Sequence, residues 1–225
     1  MNQNNIILNP KKKHIFTFIL LHGMGSNTNS FNNFLHFFEN DSSYKIYFKN
    51  TKFIIPASPI INVHYPQQTL YNINSWYDYY TQYDGKNKID KINTYQFYKQ
   101  TKRLISLIKN ESNYINNKNI YCIGISQGGT LLFNILKFLK FKIGGIIPID
   151  TIYMNNYIKL NFSFTPISIL THFKDEIYPF ELQNKCYNLL RKKNININQT
   201  IFDDGYHAEE SICQFKFILN SIFNI

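Results

Sequence analysis

The alternation of apolar runs with amphipathic stretches along the chain predicts an α/β architecture. Five short apolar runs have the length and composition of strands, and the stretches between them have the three-to-four residue spacing of helices. Parallel strands that crossover helices bury on both faces produce this pattern. The predicted strands are residues 14–21, 52–56, 119–124, 143–149 and 166–172.

The spacing of apolar positions also predicts several later elements. Residues 94–110 repeat apolar side chains on one face, as an amphipathic helix does. Residues 130–139 are apolar nearly all round, which is typical of a helix in the middle of a domain. At the carboxyl end, alternating isoleucines predict a last strand over 195–201, followed by a helix from residue 208 onward.

A chain of this length fits one domain, so we expect a single unit over residues 1–225. Residues 1–13 are interpreted as a loosely ordered lead-in, and the polar residues 81–93 as a surface insertion. No apolar run is long enough to cross a bilayer, and the amino terminus lacks the basic start and apolar block of a secretory signal. We therefore expect a cytoplasmic protein without a transmembrane segment.

Charge and cysteine content narrow the functional classes. The formal charge is +10, but Arg103 and Arg191 are the only arginines, and nucleic-acid recognition favours the forked guanidinium group. No nucleic-acid partner is expected, and the lysines at 11–13 are interpreted as a solvated lead-in to a strand. A transient contact with a membrane surface stays open. The three cysteines are too few and too scattered for a disulfide framework or a zinc site.

A serine between two glycines is the strongest chemical signal in the chain. In "YCIGISQGGT", Ser126 lies between Gly124 and Gly128 at the end of an apolar run. A strand before Ser126 and a helix after it would form a sharp elbow, in which small neighbours relieve the crowding around a strained serine. We therefore interpret Ser126 as a nucleophile. The alternative is a glycine-rich turn whose serine caps the helix.

A serine hydroxyl is a poor nucleophile at neutral pH, so it needs a base to take its proton and an acid to orient that base. In the strand-turn-helix architecture both follow the nucleophile, acid first. Only His172 and His207 come after Ser126. Asp175 follows a predicted strand and is the favoured acid, whereas Asp150, after the previous strand, is the rival. If Asp175 is the acid, chain order leaves His207 as the base.

Two backbone amides are predicted to stabilise the oxyanion that develops during acyl transfer. One is the N–H of Gln127, directly after the nucleophile. The other is the N–H of Met24 in "LLHGMGSN", where glycines on both sides free the backbone. His22 is interpreted as a residue that holds this loop by hydrogen bonding rather than as a second base.

Taken together, these motifs resemble the acyl-protein thioesterase and carboxylesterase (phospholipase/carboxylesterase) family of α/β hydrolases. The resemblance covers nearly the whole chain in the order of the family. The matching stretches are "LLHGMGSN", "IIPASP" with "SWYDYY", "GISQGG", "THFKDEIYP" and "DGYHAEE".

The resemblance implies an α/β-hydrolase fold, a mostly parallel central sheet with helices on both faces. It also implies a serine hydrolase that needs no metal and no cofactor. The residues it assigns are a Ser126, Asp175 and His207 triad, oxyanion donors at Met24 and Gln127, and substrate-binding residues at His22, Gly23 and Trp76, the last near the entrance.

The implied substrate is an acylated protein or a lipid ester, with a depalmitoylating acyl-protein thioesterase preferred and a monomer or weak homodimer expected. A lysophospholipase, a small-ester carboxylesterase and a catalytically silent binding protein stay as alternatives, because acyl selection depends on the shape of the pocket. The aromatic and aliphatic residues at 60–80 are candidates to line an acyl channel, with ordinary packing as the commoner role of such a stretch. The chain departs from the family pattern at Asp150, where a small residue is usual, and at "HFKD", where His-Gly is usual before the acid.

Overall fold

The fold is described from a computed structural model that covers residues 4–81, 89–160 and 163–223. Its strands and helices follow in chain order. They are β1 (Ile6–Leu8), β2 (Phe16–Leu21), α1 (Asn32–Asn40), α2 (Lys45–Phe48), β3 (Thr51–Ile55), β4 (Ile60–His64), β5 (Thr69–Asn74), α3 (Thr94–Glu111), β6 (Ile120–Ile125), α4 (Gln127–Phe138), β7 (Gly145–Ile149), β8 (Ser168–His172), α5 (Phe180–Arg191), β9 (Asn198–Phe202) and α6 (Ile212–Phe223).

Seven of these strands form one sheet in the order β1-β3-β2-β6-β7-β8-β9. The edge strand β1 is antiparallel to β3, and the other pairings are parallel. The strands β4 and β5 form a separate antiparallel hairpin. Because the parallel strands point the same way, the segments that follow β2, β6, β7, β8 and β9 meet at one edge of the sheet, and this edge carries the candidate site.

Two hydrophobic clusters cover the two faces of the sheet. In β2, Ile19 and Leu21 belong to the cluster that α3, α4 and α5 complete, whereas Phe18 and Leu20 belong to the cluster under α1 and α6. Successive side chains of a strand point to opposite faces, so burial of both faces requires the unbroken apolar run seen in the sequence. The α/β-hydrolase class and the single domain expected from the sequence are confirmed.

The five predicted strands correspond to β2, β3, β6, β7 and β8, and the two predicted internal helices to α3 and α4. The last strand begins at residue 198 rather than 195, because Ile195 caps the end of α5 and is buried in the core. The final helix begins at residue 212 rather than 208. Helix α5 and the β4–β5 hairpin were not predicted.

Two peripheral segments were predicted from the sequence, a lead-in over 1–13 and an insertion over 81–93. The lead-in over 1–13 contains β1, whose backbone pairs with β3, so residues 6–8 are ordered by sheet formation. Most of the predicted insertion over 81–93 lies outside the described residues, since only residues 81 and 89–93 are covered. In the described ranges, no helix combines the length and the apolar character that a membrane crossing requires.

Candidate active site

Ser126 occupies the elbow between β6 and α4. Its backbone has φ 52° and ψ −118°, a conformation that costs a non-glycine residue free energy and that persists only when the surroundings hold it. Two hydrogen bonds hold Ser126 in this conformation. The Ser126 N–H donates to the carbonyl of Ile149 at 2.8 Å, and the Ser126 carbonyl accepts from the hydroxyl of Thr151 at 2.7 Å. The end of β7 therefore fixes the strained residue.

The glycines on both sides of Ser126 are required by close backbone contacts. A Cβ atom at Gly124 would lie 2.7 Å from the carbonyl carbon of Gly128, and one at Gly128 would lie 2.5 Å from the carbonyl oxygen of Leu21. Both separations are shorter than van der Waals contact, and the opposing atoms are backbone. The glycine pattern around Ser126 thus reflects the close approach of α4 to β6 and β2 at the elbow.

Asp175 is the carboxylate that holds the imidazole of His207. Nδ1 of His207 lies 2.9 Å from both Asp175 oxygens. The carboxylate is itself fixed, because Oδ1 accepts from the backbone N–H groups of Ile177 and Tyr178 and Oδ2 accepts from the Gln183 amide. With Nδ1 donating to Asp175, the Nε2 atom is the ring nitrogen that can accept a proton.

The electrostatic surroundings favour the protonated form of His207. Burial of the ring lowers its pKa, but the hydrogen bond and negative charge of Asp175, together with the charges of Asp150 and Glu176, outweigh burial. The pKa of His207 is consequently raised above its ordinary value of 6.5. A raised pKa makes the imidazole a stronger base toward a serine hydroxyl.

Ser126 and His207 line the same cleft, which has a volume of about 380 Å³. Among the described residues, no hydrogen bond joins the Ser126 hydroxyl to the His207 ring. Such bonds are commonly long before substrate binds and tighten in the Michaelis complex. The cleft also carries five polar side chains, Ser26, Asn29, Ser30, Asn33 and Glu210. Residues 60–80, the candidate acyl channel, do not line it.

Of the two predicted oxyanion donors, Met24 lines this cleft, and Gln127 directly follows Ser126, which also lines it. Gln127 is the first residue of α4, and the first N–H groups of a helix have no partner within the helix and carry its positive dipole end. Met24 belongs to the loop that follows β2. Its neighbour Gly25 has φ +75° and donates its N–H to the carbonyl of Asn74 at 2.8 Å, which anchors the loop.

Trp76 and His22 lie behind this loop rather than at the entrance, which corrects their expected contact with substrate. Both side chains are fully buried, and the Trp76 Nε1–H donates to the His22 carbonyl at 2.8 Å. His22 donates from Nδ1 to the Gly23 carbonyl at 2.8 Å and accepts from the Ser58 N–H at 3.3 Å. Burial lowers the pKa of His22. Of the three predicted substrate-binding residues, only Gly23 lines the cleft.

The rival acid Asp150 holds a different histidine. Its Oδ2 lies 2.6 Å from Nδ1 of His172, and its Oδ1 accepts from the His172 backbone N–H at 2.9 Å. Oδ2 also accepts from the N–H of Ala208, the residue after His207, at 2.9 Å. The amide of Gln214 contacts the other nitrogen of the His172 ring. A second, fully buried acid and imidazole pair thus supports the loop that carries the base.

The sequence did not reveal this support because Asp150 and His172 follow different strands and Ala208 is an ordinary loop residue. One signal was present: Asp150 stands where the family has a small residue. Within the described residues, Asp150, Asp175 and His207 also form a group whose potential metal ligands lie within 4.8 Å of one another. The carboxylate oxygens of this group already accept protein hydrogen bonds, so the arrangement suits an acid–base network.

Comparison with known proteins places the chain among esterase-like folds. A sequence profile of the phospholipase/carboxylesterase family matches residues 2–222. The structure of Arabidopsis thaliana SOBER1 is 18% identical with a TM-score of 0.75, covering 93% of this chain and 98% of its own. Zea mays acyl-protein thioesterase 2 is 14% identical with a TM-score of 0.74, covering 98% and 100%. The Bacillus cereus carboxylesterase is 13% identical with a TM-score of 0.67, covering 95% and 90%. No curated protein matches the chain in sequence.

Proposed function

Because this chain belongs to the phospholipase/carboxylesterase family, we propose that it is a serine hydrolase that cleaves acyl esters or thioesters through an acyl-enzyme. One observation carries the proposal. The strained Ser126 and the imidazole of His207, whose Nδ1 is held by Asp175 at 2.9 Å, face the same cleft. A hydroxyl becomes a useful nucleophile when a base oriented by an acid takes its proton.

The mechanism follows from these positions. Nε2 of His207 takes the Ser126 proton while the hydroxyl oxygen attacks the acyl carbonyl carbon. The N–H groups of Gln127 and Met24 donate to the oxyanion, and losing one such donor typically costs about 3 to 4 kcal/mol of barrier. His207 then returns its proton to the leaving group, and a water activated by the same base releases the acid from Ser126.

For the substrate, we favour an acyl-protein thioester of the depalmitoylating type, with a lysophospholipid as a close alternative. The likeness in fold to the maize acyl-protein thioesterase 2 supports this choice. A second candidate is a small-ester carboxylesterase, because the cleft beside Ser126 is lined by five polar side chains and not by residues 60–80. A cytoplasmic location and a monomeric or weakly dimeric state stay predictions.

Labelling with a fluorophosphonate probe tests the nucleophile. The wild-type chain should label, Ser126→Ala should not, and His207→Ala should label very slowly. Ser26→Ala is a matched control, because Ser26 lines the same cleft but has no part in the mechanism. An unlabelled wild-type protein, or equal labelling of Ser126→Ala, would instead favour the catalytically silent binding protein.

Comparing turnover of three substrates then separates the candidate activities. A palmitoyl thioester represents the acyl-protein thioesterase, lysophosphatidylcholine the lysophospholipase, and a short-chain aryl ester the carboxylesterase. A higher kcat/KM for the thioester would support the favoured assignment. Turnover of the short ester without any thioesterase activity would replace that assignment with the carboxylesterase, because a polar cleft then selects small acyl groups.

A further inference from the structure

A cavity of about 320 Å³ lies at the end of the sheet away from Ser126. Its walls come from the carboxyl end of α4, from the loop before β7 and from the segments that precede β8. We call it the basic pocket. It is defined by Lys137, Lys140, Lys142 and Lys159 around the apolar side chains of Leu139 and Phe141.

The sequence around the basic pocket is almost free of acidic residues. Residues 112–174 contain six lysines but a single carboxylate, Asp150. That carboxylate is fully buried at the catalytic edge, where it binds His172, so it cannot neutralise the pocket. The lysines therefore create a positive field on this side of the protein.

The fold gathers cations that look scattered along the sequence. Lys140, Lys142 and Lys159 are exposed at the basic pocket. Lys193 joins them from the end of α5, since its ammonium group donates to the carbonyl of Leu160 at 3.1 Å. Lysines from separate segments of the sequence thus form one cluster on this surface.

Aromatic side chains accompany these cations. Phe138 is 40% exposed and Phe164 is 76% exposed. The Lys137 ammonium lies 5.0 Å from the ring centre of Phe138 and 5.8 Å from that of Tyr98. Exposed aromatic rings beside lysines form the combination that binds a lipid interface, because the rings enter the headgroup region while the cations contact anionic headgroups.

We propose that the basic pocket docks this protein on the surface of an anionic phospholipid bilayer. Charge complementarity and the exposed aromatic rim select this partner. Helix α4 begins at the nucleophile elbow and ends at the pocket, and its 12 residues span about 18 Å. Docking through the pocket consequently leaves the cleft at Ser126 facing the aqueous side. The inference goes beyond hydrolysis and does not depend on it.

Cosedimentation with vesicles tests the proposal. The full chain is mixed with phosphatidylcholine vesicles that contain or lack phosphatidylserine, at about 0.1 M and about 1 M salt, between which the Debye length falls from about 10 Å to about 3 Å. We expect binding to the anionic vesicles at the lower salt only. Each lysine near such a surface raises partitioning about fivefold, so changing Lys140, Lys142 and Lys159 to Glu should lower it at least about 100-fold.

The control variant changes Lys12, Lys13 and Lys102 to Glu, which alters the net charge equally at exposed positions elsewhere. It should retain most of the vesicle binding. Equal loss in both variants, or no binding of the wild-type chain to anionic vesicles at the lower salt, would overturn the proposal. So would binding to a nucleic-acid duplex with the same lysine dependence but none to vesicles. Unchanged fluorophosphonate labelling of both variants checks folding, and Ser126→Ala should bind vesicles normally, which separates docking from catalysis.

Discussion

Replacing each of the two buried carboxylates by its amide distinguishes the acid of the site from its support. In Asp175→Asn, the new amide group must face a donor whichever way it turns, because both carboxylate oxygens accept hydrogen bonds from N–H groups. The variant also removes the acceptor that keeps the proton on Nδ1 of His207. The imidazole is then favoured in the tautomer that cannot accept the Ser126 proton.

The loss of kcat should be much larger in Asp175→Asn than in Asp150→Asn. Loss of the tautomer-setting carboxylate costs about four orders of magnitude in kcat, or about 5.5 kcal/mol of barrier. Asp150→Asn leaves the His207 tautomer intact but weakens the acceptor of the Ala208 N–H, the bond that supports the base-carrying loop. An unsatisfied buried donor costs about 1 to 3 kcal/mol, so we expect a loss of kcat between about 5-fold and about 150-fold.

The assay is the pH dependence of kcat/KM for a short aryl ester, measured for the wild type and both variants. Asp150→Asn removes a negative charge that raises the pKa of His207, so its acid limb should move to lower pH. Thermal unfolding of each variant checks that the fold is retained. Equal losses for the two variants, or a larger loss for Asp150→Asn, would refute the assignment of Asp175 as the acid. An unmoved acid limb would refute the electrostatic role of Asp150.

Three further predictions concern pH, the oxyanion loop and the elbow. Because the pKa of His207 is raised, the acid limb of wild-type kcat/KM should lie above pH 6.5. The stability that protonated His207 contributes should be complete below pH 6.5 and should be lost as the pH rises through the folded pKa of His207. Urea unfolding at several pH values measures this loss. Trp76→Phe should lower the free energy of unfolding by about 1 to 2 kcal/mol by removing the bond to the His22 carbonyl, measured by the same unfolding. Gly128→Ala should abolish fluorophosphonate labelling, since its Cβ would strike the backbone of Leu21, and normal labelling would contradict the described contact.

The sequence predicted the parts of the fold that a local pattern encodes. The unbroken apolar run of β2 is required because both of its faces are buried, and the glycines beside Ser126 are required because α4 approaches the sheet closely. Helix α5 was missed although its buried positions Leu182, Cys186 and Leu190 have helical spacing. The pairing of Asp150 with His172 could not be predicted locally, because it depends on β7 and β8 being neighbours in the sheet.

The role of Trp76 shows a second limit. From the sequence alone, an aromatic residue in a loop near the site can either contact a ligand or be buried behind the site. Only the position of the His22 carbonyl, which accepts the indole N–H, decides in favour of burial. Residues 60–80 include the β4–β5 hairpin, which the sequence did not predict, and they do not line the cleft at Ser126.

Residues 149–151, at the end of β7, support both the nucleophile and the base by hydrogen bonds. Ile149 and Thr151 bind the backbone of Ser126, and Asp150 between them binds the backbone next to His207. A substitution that displaced residues 149–151 would therefore disturb both reacting groups at once. The two groups share this support although they lie about eighty positions apart in the chain.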